Sequence, residues 1–204
     1  MSEARKNSVS QLAELYNVVI GIALSISIYN VIDAKAWPIP LHLDFATNLA
    51  SVLVLVIPFY HGAMRHLFAT YVEDGGSTRI KDGALLVDFV LLFLESCLFV
   101  MIAALIASTV KMAWVVVVLL VVDSIWGLLA KLAFTGAQAQ LAEQKWALIN
   151  AAAVIVLILI LIFGDGAFKG NPMGAEFGLL AILVGRTIAD YWFSWDFYFP
   201  PVTP

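Results

Sequence analysis

Apolar residues in this chain neither alternate with polar ones nor keep to one helical face. They run almost unbroken for stretches of helical length, are cut by short clusters of charge, glycine and proline, and resume. Crossing a hydrocarbon core of about 30 Å takes about 20 helical residues. Six stretches approach or exceed that length, at 12–32, 45–71, 83–107, 112–134, 146–163 and 173–195. The first ends at Asp33, Lys35 and Pro38, and the second carries Pro58 inside it. Paired glycines in the polar run 73–82 mark a loop before the third, and Asp165, Gly166, Lys169, Gly170 and Pro172 mark one before the sixth. Between the third and fourth stretches only a few residues remain, so those two helices should form a tight hairpin. The pattern predicts an all-α fold: a polytopic transmembrane bundle of six spans in a single domain over 1–204.

Composition agrees. Apolar residues make up 62% of the chain and charged ones 13%, against about 45–50% and about 25% in soluble domains. Mean hydropathy is +0.96. One cysteine, Cys97, rules out a disulfide scaffold, and a net charge of −4 with no basic block argues against a nucleic-acid partner. The first stretch is longer than the apolar core of a leader peptide and contains Glu14 and Asn17, so the sequence predicts a retained helix. With six spans, the N-terminus and even loops hold Arg5, Lys6, Arg65, Arg79, Lys81, Lys131 and Lys145, while the odd loops hold Lys35, Lys111 and Lys169. The positive-inside bias then puts both termini in the cytoplasm of a plasma membrane of bacterial type. The aromatic run 191–199, closed by Pro200 and Pro201, reads as an interfacial belt.

Ionisable residues at membrane depth face the protein interior, pair, or line water, because each costs a few kcal/mol or more in lipid. Glu95, Asp123 and Arg186 fall near mid-span. Glu14, Asn17, His61, Arg65, His66, Asp88, Lys131, Asn150 and Asp190 fall toward the cytoplasmic side, and Tyr29, Asn30, Asp33, Asp44 and Asn48 toward the outer one. Asp88 and Glu95 are two turns apart on one helical face; Asp123, Gly127 and Lys131 form a stripe whose glycine admits another backbone; Arg186 and Asp190 can pair on their own helix. An unpaired guanidinium at this depth needs an acid; Asp190 is the local candidate, Asp123 and Glu95 would tie the sixth helix to the fourth or third, and Asp123 is favoured, with Glu95 left neutral by protonation or occupied by a cation. Pro58 frees the carbonyl of Val54 and places His61 and Arg65 just beyond a kink.

Haem and metal sites lack their ligand patterns, since no second axial histidine and no Glu-x-x-His occurs. No nucleophile motif or phosphate loop is present, and Cys97 beside Glu95 is set up to be inert. No cofactor is expected. Gly174 and Gly178 form a G-x-x-x-G that fits a helix contact or a homo-oligomer seam. The leading functional reading is a small channel or secondary transporter for a cation or protons. Its ion pathway would comprise Glu95, Asp123, Asp88, Arg186 and Asp190, with a gate or headgroup site at His61, Arg65, His66 and Lys131. Two alternatives stay open: an effector or accessory subunit with structural ion pairs, and a lipid-handling enzyme with a cytoplasm-facing polar site.

Overall fold

A computed structural model describes residues 3–32, 43–72, 83–133, 137–164 and 172–200. The side chains at 4–5, 43–44, 130–133, 137–142 and 172–173 lie outside the described residues. Among the described residues the elements are seven helices and no strand: α1 Glu3–Val31, α2 Leu43–Tyr71, α3 Ala84–Ala104, α4 Thr109–Ala133, α5 Ala137–Phe163, α6 Pro172–Phe193 and the single turn α7 Trp195–Tyr198. Five of them, α1 to α5, are long and apolar enough to cross a bilayer, which fits a multi-pass membrane protein. The helix α6 carries three charged residues, Glu176, Arg186 and Asp190, within its 22 residues and is not among those five.

The predicted spans map onto helices with shifted ends. Hairpin α3–α4 turns at 105–108 rather than 108–111, α5 begins nine residues before the predicted 146, and the last helix breaks at Ser194. The early start of α5 was hidden by Glu143 and Lys145, which read as loop residues but lie on a helix.

Neighbouring helices close a ring in the order α1, α3, α4, α5, α6, α2 and back to α1. Large apolar residues such as Leu15, Val18, Phe93, Leu128, Ile155 and Ile188 face outward, as lipid contact allows. One half of the interior is apolar, with Leu55, Phe99, Ile102, Leu119, Leu157 and Leu183 each fully buried. Polar side chains fill the other half. Two local features fix the packing. Pro58 leaves the Val54 carbonyl without its helical donor, and Thr187 Oγ1 of α6 donates to it at 3.1 Å, pinning α6 to α2. Gly127 of α4 is so close to α5 that a Cβ there would lie 2.6 Å from the Glu143 carbonyl oxygen.

Candidate functional site

The polar half holds two networks on a shared cavity. In the first, His66 of α2 sits between two acids. Its Nε2 is 3.1 Å from Asp88 Oδ2 of α3, and its Nδ1 is 2.9 Å from Glu143 Oε1 of α5. Both nitrogens face carboxylate oxygens, a geometry satisfied when each carries a proton. Asp88 also accepts from Tyr71 Oη at 2.6 Å and from Trp126 Nε1 at 2.9 Å. The Trp126 ring then stacks on Trp146, with centroids 6.1 Å apart. His66, Asp88 and Glu143 are all buried, and the second carboxylate oxygen of Glu143 has no hydrogen-bond partner.

The second network lies one to two turns deeper. The carboxyl groups of Glu95 of α3 and Asp123 of α4 interact directly, a contact that is favourable when one of them carries a proton. Asn150 of α5 donates from Nδ2 to Asp123 and accepts from Arg186 Nε of α6 at 2.8 Å. Arg186 Nη1 stands 3.1 Å from Asp190 Oδ2, in ionic contact without the alignment of a full hydrogen bond. The guanidinium carbon also lies 4.8 Å from the centroid of the Phe59 ring. Tyr16 of α1 is buried in the same region, interacts electrostatically with Glu95 and Asp123, and leaves its hydroxyl unpartnered.

A cavity joins these groups. It is lined by Phe59, His66, Glu95, Asp123, Trp126, Trp146, Arg186, Asp190 and Tyr198, with Pro58, Gly62, Ala63, Leu91 and Leu92 between them. About 20 Å³ of it is open to the centre of a water molecule, room for one or two ordered waters. Away from the mouth, one turn beyond Glu95 and Asp123, the apolar layer of Leu55, Phe99, Leu119 and Leu183 closes it.

At the opposite end the one-turn helix α7 partly covers the cavity. Tyr198 Oη lies 3.2 Å from both Asp190 oxygens, and its ring packs on His61 at 4.7 Å and on Trp146 at 6.1 Å. Burial and the neighbouring Asp190 hold the Tyr198 phenol well above its ordinary pKa, so it stays a donor. Two cations grip the backbone on either side of α7. Arg65 Nε donates to the Phe197 carbonyl at 2.8 Å, and Lys145 Nζ to the Phe193 carbonyl at 2.6 Å. A Cβ at Gly62 would meet Tyr198 Oη at 3.3 Å, so the glycine leaves room for the phenol.

Most of the residues singled out from sequence converge here: Glu95, Asp123, Asp88, Arg186, Asp190, His66 and Asn150. Three expectations are corrected. Arg186 takes Asp190 as its direct ionic partner and reaches Asp123 only through Asn150, because the asparagine spans the gap between α4 and α6. His61, whose expected gating partner was Asp88 or Asp190, faces Tyr191 Oη at 3.2 Å and the Tyr198 ring, and Asp88 goes to His66. Glu14 and Asn17 are exposed, and Tyr16 is the side chain α1 sends inward. The aromatic run divides: Trp192, Phe193 and Trp195 face outward as an interfacial belt requires, whereas Tyr198 is buried. The Lys131 side chain, Asp33 and the Asp44 side chain lie outside the described residues. Cys97 is exposed on the outer surface of α3, away from the cavity. A Cβ at Gly178 would have no neighbour within 4 Å.

Glu143, Tyr16 and Tyr198 were missed. Glu143 is seven residues before Asn150, two turns along the same face, which is a readable signal once α5 is extended. Nothing in the sequence marks Tyr198 among its aromatic neighbours. Among the described residues no group of three or more His, Cys, Asp or Glu side chains is arranged to hold a metal ion. Compared with known families, characterised proteins and solved structures, the chain matches none.

Proposed function

We propose that this chain is a six-span membrane protein of the plasma membrane, with both termini cytoplasmic, and that it moves protons or a small cation as a secondary transporter. The observation that carries the reading is a charge imbalance in the interior. In the two networks described above, and among the described residues, the buried carboxyls Asp88, Glu95, Asp123, Glu143 and Asp190 are faced by the buried cationic groups Arg186 and His66. Five acids against two cations leave three negative charges to be neutralised in a medium that does not tolerate them bare, so bound protons or cations make up the difference. The Glu95–Asp123 contact already calls for one proton.

In this reading Glu95 and Asp123 hold the transported ion or its counter-proton. His66, between Asp88 and Glu143, exchanges protons with the cytoplasmic side. Arg186 keeps the emptied site from collapsing into mutual repulsion by holding Asp190 and, through Asn150, Asp123. The Leu55–Phe99–Leu119–Leu183 layer bars one end and Tyr198 partly covers the other, an arrangement that fits a carrier; a channel with an open polar path would lack the first barrier. The pinning of α6 to α2 and its antiparallel run against α5 support a sixth crossing.

Flux into proteoliposomes tests the reading. Under a pH gradient with sodium, potassium or an organic cation on one side, wild type should dissipate the gradient, and Glu95→Gln or Asp123→Asn should slow it at least about tenfold, the cost of about 1.4 kcal/mol on the limiting step. Wild-type vesicles that hold every gradient as tightly as empty ones would sink it.

A further inference from the structure

The cavity wall points to the kind of cation. Metal cations of the alkali and alkaline-earth type want six or more oxygen ligands at close, regular distances. This wall offers few neutral oxygens: the helix carbonyls are engaged in their own ladders, Asn150 spends its oxygen on Arg186, and Tyr198 Oη is committed to Asp190. What it does offer is rings. Phe59, Trp126, Trp146 and Tyr198 line the cavity together with Glu95, Asp123 and Asp190. Aromatic rings and carboxylates on one wall suit a cation whose charge is spread over carbon and nitrogen and whose body is apolar.

The site also contains a working example of such a guest. The Arg186 guanidinium, a delocalised organic cation, lies over the Phe59 ring at 4.8 Å with Asp190 beside it at 3.1 Å. The Trp146 indole N–H, buried on the same wall, has no hydrogen-bond partner, and the Trp146 ring packs on Tyr198, which donates to Asp190, so aromatic surface adjoins this acid.

We propose that the cavity takes a quaternary or delocalised organic cation in exchange for protons, seating it against the aromatic wall between Glu95, Asp123 and Asp190 after Tyr198 withdraws. The inference rests on the proton- or cation-moving reading above and names its substrate class. Withdrawal of Tyr198 is needed because the space now open fits only one or two waters, and the phenol sits on the shortest element of the wall. That one-turn helix is held by the Arg65 and Lys145 contacts to backbone carbonyls and by the contacts of Tyr198 with Asp190, His61 and Trp146, which the entering cation would replace at Asp190. Charge balances in the exchange: each monovalent cation that enters releases one proton, in the first instance the one shared by Glu95 and Asp123.

Benzyltrimethylammonium is a suitable probe, since it can neither donate a hydrogen bond nor carry a proton. Titrated into the full-length protein in detergent, it should quench tryptophan fluorescence saturably, release about one proton per site to a weakly buffered dye, and bind about tenfold tighter for each unit rise in pH, as one-for-one exchange requires. Tyr198→Ala should speed binding. Glu95→Gln and Asp123→Asn should each abolish proton release while retaining the wild-type melting transition, and agreement between the two guards against one of them misfolding. Trp126→Leu should weaken binding at least threefold without changing proton release per bound probe. Proton flux in vesicles together with no probe binding to wild type or Tyr198→Ala would overturn the organic-cation assignment and leave the transport reading standing. Displacement of protons by sodium or potassium, with no competition from the probe, would overturn it in favour of a metal ion. Absence of both flux and proton release would remove the transport reading and this inference with it.

Discussion

Asn150 links two charges that geometry keeps apart. Its amide donates to Asp123 and accepts from Arg186, so replacing it with alanine leaves a buried carboxyl and a buried guanidinium each short of a partner. Losing one partner of a buried hydrogen bond costs about 1–3 kcal/mol, more for a charged group. Asn150→Ala should therefore lower the unfolding midpoint in detergent clearly, and Asn150→Asp should not rescue it, because the carboxylate keeps the acceptor for Arg186 but places a charge against Asp123. Arg186→Leu should be the more damaging single change, leaving Asp190 without its cation. The double variant Arg186→Leu with Asp190→Leu should recover more stability than Arg186→Leu with Asp123→Leu, since the direct ionic contact is the one to Asp190. Thermal unfolding of the three proteins decides the order, and equal recovery by both doubles would mean that the relay through Asn150 carries as much as the direct pair.

Between helices, the tightest approach is α4 on α5 at Gly127, where a Cβ would strike a backbone oxygen at 2.6 Å. Backbone cannot rotate aside as a side chain can, so Gly127→Ala must part the helices locally. Overpacking of this kind costs about 1–3 kcal/mol, and the shift would also pull Glu143 from His66. Gly21→Ala, with no neighbour within 4 Å of the added carbon, is the control and should leave stability unchanged. Unfolding in detergent distinguishes them, and equal midpoints would show that the contact yields freely. The Asp123, Gly127, Lys131 stripe made this approach readable in sequence, as the span lengths made five helices readable. The ends were less legible: charged residues such as Glu143 and Lys145 look like loop until the helix that buries one of them is known. Which side of α1 faces inward was not legible either, because Glu14 and Asn17 carry the polarity while Tyr16, apolar in bulk, makes the interior contact. Pairing was hardest of all. The depth of Arg186 and the acids followed from counting along each helix, but the choice between Asp123 and Asp190 depended on Asn150, whose reach only the assembled ring reveals. For α6 the crossing itself can be tested. In a Cys97→Ser background, a cysteine at 170 should react with an impermeant maleimide from outside the cell and one at 203 only after lysis; labelling of both from one side would leave α6 as an interfacial helix.

Taken as one body, the ring of six helices surrounds more acid than base among the described residues, and the arrangement is expensive for folding. Replacing buried ionic groups with neutral ones of similar shape is often stabilising, by about 1–4 kcal/mol, when the partner charge is not orphaned. Glu95 and Asp123 are suited to that change because they contact each other, and Arg186 retains Asp190 when both are neutralised. The double variant Glu95→Gln with Asp123→Asn keeps the volume of both side chains and preserves an acceptor at 123 for the Asn150 amide. It removes the proton requirement of the pair. If these acids are kept for ion handling, the double variant should melt higher than wild type while losing proton-coupled flux altogether, a separation of stability from activity that stressed functional sites produce. If they are structural, the variant should melt lower, since the Glu95–Asp123 contact would then be among the forces holding α3 to α4. Melting temperature and flux measured on the same preparation give the answer together, and a loss of both would assign the pair to the scaffold and not to transport.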